Sequence, residues 1–181
     1  MKAPHGRAGV IAMFGSGGPE GSSWYKANMT TVNLPFTLLY EEDDDTVKPV
    51  KRCQFHVKAA PALVAALTAI WYHARVEVKK EVGYDKTTEE YDVLTYNWLK
   101  DKGLLNFGGT FNYRKIRGSE ALSMHSYGIA IDMAPGANKL GQKTTSLPEW
   151  YIDCFRDQGF FWGGDFESRK DPMHFQMAIG C

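Results

Sequence analysis

The sequence contains both helical and strand-like patterns, and these patterns are compatible with an α+β fold. Apolar residues recur at the three- and four-residue spacing of an amphipathic helix over residues 59–82, at Leu63, Leu67, Ile70 and Ala74. Residues 128–133 and 173–177 instead alternate large apolar side chains with small or polar ones, which indicates strands with one buried face. The long helix and the two short strands are together compatible with an α+β domain.

Two further helices are predicted from their ends. A helix over residues 88–101 begins beside Thr87, which can cap its first turn, and that turn is acidic. A third helix over residues 147–157 has Pro148 at its start and Gly159 after its end. The sequence thus predicts about three helices.

The other strands are predicted from residues that favour β structure. Residues 35–40 and 50–57 indicate a hairpin whose turn is the acidic run 41–45. Residues 110–114 indicate a short strand that follows a turn at Gly108 and Gly109.

Length and composition bound the class of protein. With 181 residues the chain can bury a core without disulfides, and we expect a monomer with one domain over residues 24–181. Residues 1–23 are rich in glycine, serine and proline, and we expect a loop-rich segment packed on that domain. The formal net charge is zero, which gives no overall basic field for nucleic acid, and no stretch has the apolar length of a membrane span.

Three residues could form a metal site. The alternating strands would place Asp132 and His174 on polar faces turned to a common cleft, and His125 would reach in from the loop before the first strand. Two imidazoles and a carboxylate are a three-ligand set for Zn²⁺ that leaves one position open. Taken singly, each residue is equally compatible with a structural role, as a turn cap, a surface carboxylate or a strand histidine.

A wider motif surrounds these residues. It resembles the zinc signature of the D-alanyl-D-alanine carboxypeptidase family (VanY-like zinc peptidases, peptidase family M15), at Ser123, His125, Gly128, Ala130, Asp132, Asp171, His174 and Phe175. Within residues 160–176, the run Trp162-Gly163-Gly164 and the following segment from Lys170 to Gln176 closely resemble phage L-alanyl-D-glutamate endopeptidases of the endolysin type. The resemblance implies a small antiparallel sheet that carries one zinc ion per chain on His125, Asp132 and His174.

The resemblance also implies a general base. Asp171 stands where the family has Glu or Asp, and it would take a proton from the metal-bound water and pass it to the leaving amine. Asp165 and Glu167 are nearby acids that could replace it in this role.

Other residues receive supporting roles from the resemblance. Tyr113-Arg114 matches the family's aromatic–arginine pair, so Arg114 would contact substrate, with Arg117 as the rival. Ser123 would orient His125 or the ligand carboxylate, and Asn138 would fix the loop after the first strand. Trp162 would support the site or contact substrate.

The function that follows is zinc-dependent hydrolysis of the stem peptide of bacterial peptidoglycan, at the L-Ala–D-Glu bond or at the D-Ala–D-Ala bond. Two alternatives remain open: a non-catalytic wall-binding or structural module on the same scaffold, and a zinc amidase that cuts the glycan–peptide link. The N-terminus lacks the pattern of a signal peptide. We therefore expect synthesis in the cytoplasm and action on the wall after release through a holin, or as part of a virion.

Overall fold

A computed structural model describes residues 2–42 and 46–181 of the chain. Its helices are α1 Gly6–Phe14, α2 Ser23–Asn28, α3 Ala60–Val82, α4 Thr88–Asp101 and α5 Glu149–Arg156. Its strands are β1 Met29–Glu41, β2 Val47–His56, β3 Asn106–Gly109, β4 Ala130–Met133, β5 Phe161–Trp162 and β6 His174–Gln176. Two short 3-10 helices cover Met124–Tyr127 and Gly163–Asp165.

The strands form one six-stranded sheet in the order β2-β1-β3-β4-β6-β5. Strands β1 and β3 run parallel, and the other neighbours run antiparallel. The predicted α+β class is confirmed. The sheet is larger than expected and mixed rather than purely antiparallel, and the described part of the chain has five α-helices rather than about three.

The predicted helices form because their patterns agree with the fold. α3 buries its apolar face, including Leu63, Leu67 and Ile70, against the sheet and the neighbouring helices. At the start of α4, Thr87 accepts the amide of Glu90, whose side chain accepts the amide of Thr87. Within the described residues, no helix combines the length and apolar character needed to cross a bilayer.

The predicted hairpin is confirmed as β1 paired with β2, and both strands are longer than expected. Asp43–Asp45 in the acidic turn lie outside the described residues. The strand predicted over residues 110–114 is wrong, because the strand ends at Gly109. Gly108 is part of this strand rather than of a turn: a side chain there would lie 3.0 Å from Pro135 and 3.1 Å from Asp132.

The N-terminal segment contains the helix α1 and the first residue of α2, Ser23, where a loop was predicted. Val10 and Phe14 of α1 are buried in the main core. The amide of Gly6 donates to the carbonyl of Ile179 over 2.7 Å, and the amide of Ile179 donates to Pro4 over 2.9 Å. The segment is therefore held against both the core and the residues that follow β6.

Strands β4 and β6 set the register of the candidate site. Asp132 lies directly opposite His174, and Ile131 lies opposite Phe175. Ile131 and Phe175 are fully buried. Because neighbouring residues on a strand face opposite sides, the buried apolar pair fixes the face on which Asp132 and His174 lie together.

A buried histidine links the N-terminal segment to the end of β2. His56 has none of its surface exposed, and its Nδ1 accepts the amide of Lys58 over 3.1 Å. Its Nε2–H therefore faces the carbonyl of Phe14, 3.3 Å away. Burial is the main cause that lowers the pKa of His56, to about 4, and the nearby charge of Lys58 lowers it further. His56 is thus neutral in the folded protein.

We expect His56 to weaken the fold at acidic pH. Its pKa is about 4 when folded, against an ordinary value of 6.5. The contribution of neutral His56 to the free energy of unfolding is therefore fully present above pH ~6.5. It is lost as the pH falls towards 4, by up to about 3 kcal/mol. Urea unfolding at pH 7.5 and pH 5 checks this in the parent and in His56→Gln. Equal losses of stability in the two proteins would contradict the prediction.

Candidate metal centre

Three side chains from separate elements converge at one end of the β4–β6 pair. Nε2 of His125 lies 3.2 Å from Oδ1 of Asp132 and 3.2 Å from Nδ1 of His174. Nδ1 of His174 lies 2.9 Å from the same Asp132 oxygen. The structure therefore brings together the three residues that were predicted as metal ligands, as one group able to hold a metal ion.

His125 is placed by the short helix Met124–Tyr127. Ser123 caps this helix, and its hydroxyl accepts the amide of His125 over 3.3 Å. The helix ends at Gly128 in a left-handed conformation (φ 63°), where a side chain would lie 2.4 Å from Met29. Nδ1–H of His125 donates to the carbonyl of Thr110 over 2.5 Å. Its Nε2 is therefore left with a lone pair that points to the other two residues.

The ring of His174 is oriented by a hydrogen bond to another residue of β6. Its Nε2–H donates to Oε1 of Gln176 over 3.0 Å. The amide group of Gln176 donates in turn to the carbonyl of Ala178 over 3.0 Å, which orients the Gln176 oxygen towards the imidazole. Nδ1 of His174 is left as an acceptor, so both imidazoles have the tautomer of a metal ligand.

The three acceptor atoms fit a small divalent cation. Ligands at the zinc distance of about 2.0–2.1 Å in a tetrahedron lie about 3.3 Å apart, close to the separations of 2.9–3.2 Å found here. Burial alone would raise the pKa of Asp132, but His125 and His174 outweigh it and hold that pKa well below its usual range. Asp132 is thus an ionised ligand, and the set of two nitrogens and one carboxylate oxygen suits zinc.

A proton can compete with a metal for His174. Burial alone would lower the pKa of His174, but the hydrogen bond and charge of Asp132 outweigh it and raise that pKa. Below this raised pKa a metal must displace the proton from Nδ1 of His174, so metal affinity falls as the pH falls.

Gln176 supports the site through His174, and its replacement tests the tautomer argument. Gln176→Leu keeps the buried volume roughly constant but removes the acceptor for Nε2–H. We expect zinc affinity to fall about 10- to 100-fold. A competition titration with a zinc chelator measures this, with Gln158→Leu, in the turn after α5, as the control. Unchanged affinity in Gln176→Leu would contradict the argument.

Asp171 lies in the turn that leads into β6. Its carbonyl accepts the amide of His174 over 3.0 Å, and its own amide donates to Gly163 over 2.9 Å. Its Oδ1 is buried without a hydrogen-bond partner among the described residues. Burial is the main cause that raises the pKa of Asp171, and the charge of Asp132 adds to it, against the opposing charges of His174, His125 and Arg114.

The rival acids are placed differently. Asp165 is exposed, and its Oδ2 accepts a hydrogen bond from Arg156 of α5 over 2.9 Å. Glu167 lies on the exposed surface between Asp165 and the turn at Asp171.

The two candidate arginines lie in an exposed segment before the short helix. Arg114 is near its base, and its charge acts on Asp171. Arg117 lies in the turn at the far end, next to Gly118. The structure thus places Arg114 within electrostatic reach of Asp171. Among the described residues, it shows no such interaction for Arg117.

Asn138 and Trp162 make structural contacts. Asn138 is buried; its amide donates to Ala134 and to Ser146, and its oxygen accepts from Thr145 and from the amide of Ser146. These bonds fix the loop after β4. Nε1–H of Trp162 donates to the carbonyl of Pro172 over 2.9 Å, which ties β5 to the turn that holds Asp171.

An open groove is lined in part by Asp132 of the ligand group. It has a volume of ≈ 600 Å³ and is lined by polar and charged side chains, including those of Asp132, Asn106, Glu41, Glu42 and Lys139. A more apolar groove of ≈ 770 Å³ between the start of β1 and α3 contains none of the candidate site residues. The groove beside Asp132 is the more polar of the two, but His125, His174, Asp171 and Arg114 are not among its lining residues.

Two contributors to the site were missed by the sequence analysis. The Thr110 carbonyl is a backbone group, and no side-chain pattern reveals it. Gln176 did carry a signal, because residues two apart on a strand share a face, which places it beside His174.

Part of the chain is similar in sequence to a known protein family. Residues 117–177 match the family model described as D-alanyl-D-alanine carboxypeptidase. No solved structure matches the chain. The matched segment contains His125, Asp132, Asp171 and His174. The resemblance to the D-alanyl-D-alanine carboxypeptidase family of peptidases is therefore confirmed over residues 117–177.

Proposed function

We propose that the protein is a zinc-dependent peptidase that hydrolyses peptide bonds in the stem peptide of bacterial peptidoglycan. One observation carries the proposal: His125, Asp132 and His174 direct three acceptor atoms, 2.9–3.2 Å apart, to a common point. These residues lie inside the segment matched to a peptidase family. The family match supports the peptidase activity, and the donor set supports the metal.

Zinc, when bound, supplies a Lewis acid that polarises the scissile carbonyl and acidifies a water molecule. His125 and His174 each hold a lone pair towards it, because their other ring nitrogens donate to Thr110 and Gln176. Asp132 contributes a negative charge that balances part of the charge of the ion.

Asp171 acts as the general base and then as the general acid. Its buried Oδ1 has no partner among the described residues, and its raised pKa favours uptake of a proton. It removes a proton from the attacking water, whose oxygen forms a bond to the acyl carbon. The carbon–nitrogen bond then breaks as Asp171 returns the proton to the leaving nitrogen. The products are a carboxylate and an amine.

Arg114 is the better candidate for the substrate contact. Within the described chain its guanidinium has no hydrogen bond or ion pair, and its charge reaches Asp171. A guanidinium so placed can bind a substrate carboxylate through two parallel hydrogen bonds or stabilise the oxyanion that develops at the scissile carbonyl.

The stem peptide contains two bonds that fit this chemistry. The likeness of residues 160–176 to phage enzymes supports cleavage of the L-Ala–D-Glu bond, and the D-Ala–D-Ala bond is the second candidate. A protein of this kind acts on the wall after release from the cell that makes it, through a holin or in a virion.

Digestion of isolated peptidoglycan by the zinc-loaded protein, with mass spectrometry of the products, tests the proposal. New D-glutamate amino termini identify the endopeptidase, and free D-alanine identifies the carboxypeptidase. Separation of intact stem peptides from the glycan would instead identify an amidase. Binding of the wall by a zinc-loaded protein that releases no product would refute the peptidase and favour a wall-binding module.

A further inference from the structure

We propose that Ser126 is a positioning residue that fixes the backbone of Arg114 relative to the metal ligand His125. This inference rests on the proposed function, in which Arg114 contacts substrate. Ser126 lies between His125 and Gly128, at a position where the metal-binding motif does not specify a residue.

The Ser126 hydroxyl holds Arg114 at both of its backbone polar groups. Ser126 has none of its surface exposed. Its Oγ accepts the amide N–H of Arg114 over 2.9 Å and lies 2.7 Å from the Arg114 carbonyl, to which it donates. The carbonyl of Asn112, 3.2 Å away, is a longer alternative acceptor. A hydroxyl has one donor and two acceptor sites, so this geometry uses its proton and one of its lone pairs.

Two backbone hydrogen bonds also link the segment around Arg114 directly to the segment that holds His125. The amide of Asn112 donates to the carbonyl of His125 over 3.3 Å, and the amide of Ser123 donates to the carbonyl of Arg114 over 3.0 Å. Residues 112–114 therefore run alongside the short helix that holds His125. Ser126 is the one side chain among the described residues that bonds to the main chain of Arg114.

The surroundings of Arg114 explain why such an anchor matters. Residues 112–120 are all exposed, so core packing does not fix their path. Just after this segment, the guanidinium of Arg7 donates to the carbonyl of Leu122 over 2.8 Å. Loss of the Ser126 hydroxyl would free the Arg114 amide, and a small displacement of a substrate-binding group is enough to lower the rate strongly.

A double-mutant cycle with Ser126→Ala, Arg114→Ala and the double variant tests the proposal. We expect Ser126→Ala to lower kcat/KM by about 10- to 100-fold, with zinc content unchanged. In the Arg114→Ala background, the same change is expected to have no further effect, because Ser126 acts through Arg114. Thr87→Ala, which loses a hydroxyl-to-amide bond at the start of α4, is the control and is expected to keep kcat/KM.

Two outcomes of the cycle overturn the inference. One is an unchanged kcat/KM in Ser126→Ala. The other is an equal loss in the presence and absence of the Arg114 side chain, which would mean that Ser126 acts on His125 or on the fold.

Hydrogen exchange at the Arg114 amide gives a readout that needs no catalysis. Ser126→Ala is expected to speed this exchange, while exchange across β4 and β6 stays unchanged; an unchanged rate at Arg114 overturns the inference. If the parent protein hydrolyses no peptidoglycan but exchange at Arg114 responds as expected, the proposed function fails and the anchoring role of Ser126 stands.

Discussion

Replacement of Asp171 by asparagine is expected to lower kcat by about 10²- to 10⁴-fold while the protein still binds one zinc ion. Asparagine keeps the size of the side chain and leaves both backbone hydrogen bonds of residue 171 in place. It cannot take up the proton that Asp171 accepts in the proposed mechanism. Initial rates on isolated peptidoglycan, measured beside the zinc content of the same samples, check the prediction.

Asp165→Asn is the matched control for this experiment. Asp165 is one of the two rival acids, and its carboxylate pairs with Arg156 on the partly exposed surface. An exposed ion pair contributes about 0–1 kcal/mol to stability, so we expect kcat within a few-fold of the parent. Full activity in Asp171→Asn together with a large loss in Asp165→Asn would reverse the two assignments.

Replacement of His174 by alanine is expected to abolish stoichiometric zinc binding and, with it, hydrolysis. In the parent, zinc at about 100 times its dissociation constant should stabilise the fold by roughly 3 kcal/mol, which corresponds to about 5–10 °C in Tm for a chain of this length. His174→Ala should show no such rise, because the ligand group retains one imidazole and one carboxylate. Thermal unfolding with and without zinc measures the difference.

His73→Ala serves as the control for histidine loss. His73 lies on α3 with its ring stacked on Trp150 at 4.1 Å, and it is not part of the ligand group. This variant should lose some stability but keep the zinc-dependent rise in Tm. A rise of equal size in His174→Ala would show that zinc stabilises the protein at another place.

The parts of this molecule that could be predicted are those in which local pattern and tertiary structure agree. The spacing of Leu63, Leu67 and Ile70 predicts α3, and its buried face is the one that this spacing defines. Alternation in β4 and β6 predicts that Asp132 and His174 share a face, and the register places them opposite each other. In both cases one periodicity determines the element and its buried side.

The parts that could not be predicted depend on distant contacts. α1 contains Gly9, begins after His5 without a side-chain cap, and is stabilised by burial of Val10 and Phe14 in the core. The parallel pairing of β1 with β3 joins residues more than sixty positions apart, and nothing in either strand specifies it. Gly108 suggests a turn by composition, but it lies in a strand because of its neighbours in space.

One hydrogen bond at the candidate metal site is accepted by a backbone group rather than by a side chain. The acceptor for His125 is the carbonyl of Thr110, which every amino acid would supply at that position. A replacement of Thr110 that leaves the backbone in place keeps this hydrogen bond, although a residue without a hydroxyl loses the bond from the buried Thr110 side chain to the carbonyl of Gln54. An insertion or deletion within β3, which ends at Gly109 directly before Thr110, would instead move the carbonyl and misorient the imidazole. The length of β3 is thus a better guide than the side chain at position 110 to whether a relative keeps this hydrogen bond.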